Sequence, residues 1–124
     1  MTDPFTRAIE NFNAEAYREA LLAFEECWAA ERTEFLRGLI QLCNALNQLR
    51  LGLVTSPRYL LARADALLAP YAPHHAGLDV DHLLAYIAAV RALIPDDVET
   101  GHGRVAWEQV PRLQLDVEGS IPFS

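Results

Sequence analysis

Apolar residues recur at helical spacing through the first 94 positions of this chain and switch to alternation only near its end. Asp3-Pro4 reads as a helix cap followed by proline at the first helical position, opening a short helix to about Asn11. Phe12-Asn13 then restarts the chain, with Asn13 as the next cap and Phe12 stapled to Tyr17. In this second helix Ala16, Tyr17, Ala20, Leu21, Phe24, Cys27 and Trp28 share one face, and Glu15, Glu19 and Glu26 lie opposite. A third helix, about Glu34 to Leu53, is apolar over more than half its circumference. Gly38, Ala45 and Gly52 form a row of small residues along it, and its polar remainder is the thin stripe Arg37, Gln41, Asn44 and Gln48. A helix wetted on one narrow stripe is the central element of its bundle. Ser56-Pro57 opens a fourth helix, to about Leu68, with Leu60, Leu61, Ala64, Leu67 and Leu68 inward. Pro70 and Pro73 end it, and a loop runs from Tyr71 to Leu78. Asp79 caps a fifth helix, with Leu78 stapled to Leu83 and a buried stripe of Leu83, Leu84, Ile87, Val90 and Ile94, up to Pro95.

Past Pro95 the period changes. Asp96 to Gly103 is acidic and glycine-punctuated. Arg104 to Val110 and Arg112 to Glu118 alternate, with Leu113, Leu115 and Val117 on one side. A lone hairpin is marginal in water, and this stretch, with Trp107 and Phe123, is too apolar to lie free. The expectation is therefore all-α: a compact bundle of four to five helices over residues 1–95, with an extended C-terminal tail over residues 96–124 laid on the bundle or on a partner subunit.

Composition narrows the chemistry. The chain has 124 residues, 52% of them hydrophobic, which is one core's worth of globular protein. Its net charge is −7, and all ten basic residues are arginine. A polyanion would meet net repulsion, so no nucleic-acid partner is expected. Without lysine, a P-loop of the usual kind and Schiff-base catalysis are excluded. No apolar run is long enough for a bilayer span, so no membrane partner is expected. The two cysteines, Cys27 and Cys43, form no framework, and the start lacks a secretory signal, so the expected location is cytoplasmic.

Phe12-Asn13-Ala14-Glu15-Ala16-Tyr17 running on through Phe24-Glu25-Glu26-Cys27-Trp28, then Phe35-Leu36-Arg37-Gly38-Leu39-Ile40-Gln41 to Leu49-Arg50-Leu51-Gly52, and finally Gly77-Leu78-Asp79, together resemble the bacterial and archaeal domain of unknown function 309 family. The resemblance spans about Phe12 to Ile94 and implies an all-helical fold. It also implies a helix motif His-x-x-x-Glu-x-x-Trp or Tyr that would bind a metal. In register the motif's glutamate is Glu25 and its aromatic is Trp28, but its histidine position holds Leu21 and the following glutamate position holds Leu22. A second family histidine, late on the next helix, is replaced near Asn47 and Gln48. Histidine at i and glutamate at i+4 share a helical face, as chelation needs. Leucine offers a metal nothing, so the family site is expected to be degenerate, with no cofactor. The alternative is a divalent metal.

If the second and third helices are antiparallel about Arg32-Thr33, Glu25 meets Ile40 or Gln41, Leu21 meets Asn44 and Trp28 meets Arg37. That register predicts a polar slot of Glu25, Trp28, Arg37, Gln41, Asn44 and Gln48. A plain alternative is that Glu25 and the stripe are solvated. His74, His75, Asp81 and His82, beside Asp79, make a weaker metal candidate, because adjacent histidines point apart and Asp79 is occupied as a cap. His102 stands alone in its loop. Both cysteines sit on apolar faces with no sequence-adjacent histidine, and no catalytic residue is assigned.

Three functional readings follow. The first is a non-catalytic interaction or structural module that self-associates, as a dimer, through exposed Leu22 and the apolar tail. The second is a metal-dependent hydrolase using Glu25. The third is a small-molecule binder in the Glu25 slot. The first is preferred, because the motif's ligands are missing.

Overall fold

The computed structural model describes residues 3–94 and 105–117. It is all-α: α1 (Pro4–Asn13), α2 (Tyr17–Glu31), α3 (Glu34–Arg50), α4 (Thr55–Leu68) and α5 (Val80–Leu93). A 3₁₀ turn, Ala69–Tyr71, and a hairpin of β1 (His74–His75) and β2 (Leu78–Asp79) join α4 to α5. Among the described residues no helix is long and apolar enough to cross a membrane.

Asp3 caps α1 as expected, its carboxylate accepting from the Thr6 backbone N–H at 2.9 Å. The helix then runs past Asn11 to Asn13. Asn13 does not cap α2; Ala16 stands at that position with no side-chain cap. The Asn13 amide is engaged elsewhere: its Nδ2 donates to the Leu115 carbonyl at 3.0 Å, and its Oδ1 accepts from the Leu115 N–H at 2.7 Å. Phe12 and Tyr17 do meet, edge to face at 5.2 Å, but across the α1–α2 junction and not as a staple within one helix. Glu15 takes a left-handed φ of 62° there.

Thr33 caps α3, its hydroxyl accepting from the Leu36 N–H at 3.2 Å. Leu39, Leu42, Leu46 and Leu49 are fully buried, and the helix packs on α2 and on α4. Its end comes at Arg50, three residues before the expected Leu53. Gly52 adopts φ +90°, its N–H bonding back to the Leu49 carbonyl while the Leu53 N–H reaches that of Gln48. This pair of bonds is a Schellman closure, which needs a residue free of a Cβ penalty. Gly52 thus leaves the small-residue row, which serves packing only at Gly38 and Ala45. At Gly38, Leu68 fills the space a Cβ would occupy, its Cγ 2.7 Å from that point.

Two expectations about the following segment are corrected. α4 begins at Thr55, so Ser56 is an exposed residue in the first turn and not the cap, and Pro57 is buried at the third helical position. Proline is tolerated there because first-turn N–H groups have no helical partner. The predicted loop contains a tight hairpin, with His74 opposite Asp79 and His75 opposite Leu78. Ala76 (φ 52°) and Gly77 (φ 79°) form the two-residue left-handed turn that such hairpins use. The strands are only two residues long, too short to leave a period in the sequence.

Asp79 caps α5, accepting from the His82 N–H at 2.9 Å. Leu83, Ile87, Val90 and Ile94 are buried, as is Leu78. Leu84 is only half-buried, and Tyr86 takes its inward place. The Tyr86 hydroxyl donates to the Pro111 carbonyl at 2.7 Å.

The described part of the tail lies on its own bundle. Val105, Val110, Leu113 and Leu115 are buried, while Arg112, Gln114 and Asp116 face out. The period-two alternation over residues 112–117 holds without a strand partner. Residues 107–109 instead form a 3₁₀ turn, so the alternation read from Arg104 to Val110 does not carry through. Trp107 packs edge to face on Tyr17 at 5.8 Å, and the Arg112 guanidinium lies 4.0 Å from the Trp107 ring while its Nε donates to Glu15 at 2.9 Å. His102, Phe123 and the acidic run from Asp96 lie outside the described residues.

Candidate functional site

The register of α2 against α3 positions everything the polar stripe can reach. Arg50 Nη1 donates to the Glu15 carbonyl at 2.6 Å, and its guanidinium lies 5.7 Å from the Tyr17 ring. Glu15 and Arg50 are equidistant from the Arg32-Thr33 turn, so the pair sits where an antiparallel hairpin of helices would place it.

The stripe residues do not join through Glu25. Glu25 is exposed, and among the described residues its side chain has no ion-pair partner. Arg37 turns back to its own helix and pairs with Glu34 at 3.1 Å. Asn44 and Gln48 bond one another, Gln48 Nε2 to Asn44 Oδ1 at 3.1 Å, one turn apart on α3. The Gln48 Oε1 is buried without a partner among the described residues, and so is the Trp28 indole nitrogen. Trp28 instead carries Arg32 over its ring at 4.8 Å. Gln41 is half-buried. Leu21, at the motif's histidine position, is half-buried against the core, and Leu22 is 51% exposed.

The histidine cluster is also dispersed. His74 and His75 are neighbours on one strand and so project to opposite faces. His75 packs on Phe35 at 4.6 Å and on Tyr71 at 4.7 Å. Asp81 and His82 are exposed on the first turn of α5. Among the described residues no three His, Cys, Asp or Glu side chains gather in a group that could hold a metal ion.

Neither thiol is set up as a nucleophile. Cys43 is fully buried, and burial pushes its pKa far above the ordinary thiol value. Burial, then the negative charges of Asp3, Glu26 and Glu31, push the half-buried Cys27 thiol up as well. A thiolate needs the opposite surroundings.

A cavity of about 440 Å³ is lined by none of the residues of the expected polar slot. The start of α1, the end of α2, the start of α3 and the hairpin tip border it, with Phe5, Cys27, Phe35 and Leu36 in its walls, and it opens to solvent. The lining residues run from Asp3 to Ala76, and no spacing rule links them. The apolar placing of Cys27, Phe35 and Leu36 and the Asp3 cap follow from the sequence; their meeting in one cavity does not.

Residues 5–57 match the model of a protein family described as a domain of unknown function (DUF309). The match begins at Phe5, ahead of the Phe12 that opens the resembling stretch, and it ends at Pro57, so Gly77-Leu78-Asp79 lies beyond it. It takes in α1, α2 and α3. Neither a search of curated proteins nor one of solved structures found a match to this chain.

Proposed function

We propose that this protein is a non-catalytic interaction module that associates with a second copy of itself. The observation that supports this is the distribution of exposed apolar side chains. Leu51 is 68% exposed, Leu53 53% and Tyr59 64%, all within nine residues at the α3–α4 connection. Single exposed leucines are ordinary, but three large apolar groups at one end of a bundle are what an interface leaves on a free subunit. Leu22 adds an apolar group to the outer face of α2, among Arg18, Glu19, Glu25 and Glu26. The tail does not contribute to this argument, since Leu113 and Leu115 are spent on the chain's own core.

The degenerate motif supports a role without catalysis. Leu21 and Leu22 replace the oxygen and nitrogen donors that a metal would need, and Glu25 stands apart from the α3 stripe. Light scattering on the eluted protein tests the proposal. A dimer that dissociates on Leu51→Asp with Leu53→Asp is expected; a strict monomer at high concentration would overturn it. Elemental analysis of protein purified without chelator tests the other half, and a stoichiometric metal would restore the hydrolase reading.

A further inference from the structure

The cavity at the α2–α3 turn is separate from the proposed interface. The two lie at opposite ends of α3, whose 17 residues span about 25 Å. At about 440 Å³ the cavity is the size of a small-molecule site, and four separate elements wall it.

Its walls and its rim differ in chemistry. Phe5, Phe35, Leu36 and Cys27 line the interior. Phe35 is held in place by Tyr71 at 5.4 Å and by His75 at 4.6 Å, and Phe5 by Phe24 at 5.9 Å, so the aromatic walls are fixed before any ligand arrives. The charged groups at the rim are all carboxylates: Asp3, Glu26 and Glu31. Arg7 neutralises one of them, pairing with Glu26 at 2.6 Å. Arg32, the next cation along the chain, is drawn off onto Trp28. Glu31 has no ion-pair partner among the described residues. It also stands in the last turn of α2, which carries no basic side chain, so its charge adds to the negative end of the helix dipole. Carboxylates at a helix C-terminus are unfavourable unless a cation meets them. Burial first, and then these same carboxylates, raise the Cys27 thiol, which lines the cavity.

We propose that this cavity binds a small organic monocation: an amine whose apolar, preferably aromatic, body fills the space between Phe5 and Phe35 and whose ammonium group lies at Glu31 and Asp3. Apolar walls supply the affinity, and the Glu31 and Asp3 carboxylates favour a cation over a neutral isostere. The carboxylate rim excludes anions of the same shape.

Three probes of one shape and different charge test this: benzylamine, benzyl alcohol and benzoate, titrated to millimolar concentration and followed through the amide resonances of Cys27, Ala30 and Leu36. Benzylamine is expected to shift them saturably, benzyl alcohol more weakly and benzoate not at all. Asp3→Asn with Glu31→Gln is expected to weaken benzylamine about fivefold, the scale of exposed charge pairs, and to leave benzyl alcohol unchanged. Ala30→Trp, an exposed position on the cavity wall, fills the space and is expected to abolish both while leaving a cooperative thermal transition. Absence of saturable benzylamine binding, equal binding of benzoate, or insensitivity to Ala30→Trp would each overturn the proposal.

Discussion

The side chain of Asn13 pairs with the backbone of Leu115 in both directions, donating to its carbonyl and accepting from its N–H. An amide side chain thereby does what a neighbouring strand would do for an extended chain. Gln114 returns a bond to the Asn13 carbonyl at 3.1 Å. Asn13→Ala leaves both Leu115 groups without this partner and is expected to cost about 1–3 kcal/mol. Hydrogen exchange at the Leu115 amide should accelerate in that variant more than exchange at α3 amides. Equal acceleration throughout would mean that the tail is not held at this point.

Gly38 faces Leu68 at a distance no Cβ tolerates. Alanine is worth roughly 1 kcal/mol more than glycine in a helix interior. Overpacking a closed contact costs about 1–3 kcal/mol, and fully buried Leu68 has little room to yield. Gly38→Ala is therefore expected to lower the urea midpoint, and Gly38→Val to lower it further. A rise for the alanine variant would show that α3 and α4 can separate at little cost.

Caps distinguish the observed helix starts from the expected ones. Thr33→Ala removes the hydroxyl that accepts from Leu36 and is expected to cost about 1 kcal/mol. Ser56→Ala, at the position that reads as a cap in sequence, is expected to change stability by less than roughly 0.5 kcal/mol, as exposed substitutions do. Thermal melts of the two variants side by side decide the matter.

Alkali provides a test of the buried hydroxyl and thiol. Burial pushes Tyr17 up to about 12 from 10.0 and raises Cys43 from 9.0. In both cases the folded state holds the proton that the unfolded state loses. Their stabilising contribution is complete below the unfolded pKa values and is lost as pH climbs past about 9 and then 10 toward the folded values. Stability is expected to fall with pH in that window, less steeply in Tyr17→Phe. A flat profile between pH 9 and 11 would contradict the burial of both groups.

Much of the helical plan was legible because it depends on local chemistry. Asp3, Thr33 and Asp79 act as caps, though only Asp3 and Asp79 announce themselves as such beside their hydrophobic runs. The apolar faces of α2, α3 and α5 follow from spacing alone. The errors share a cause. Asn13 and Ser56 carry good capping side chains, and in both cases distant chain decided otherwise: the tail claims Asn13, and the Gly52 closure delivers the chain into α4 ahead of Ser56. The polar slot failed to assemble for a similar reason, since Arg37 had a nearer carboxylate in Glu34 than in Glu25.

What the amino-acid order determined by itself is the all-α class, the central place of α3 and the leucines at positions 21 and 22, whose side chains offer a metal no donor, because helix formation and ligand chemistry are properties of residues and their near neighbours. The tertiary structure alone decided where the tail lies and that Phe5, Cys27, Phe35 and His75 share one cavity. Those placements depend on contacts between residues tens of positions apart, whose energies depend on shape and register and leave no period along the chain.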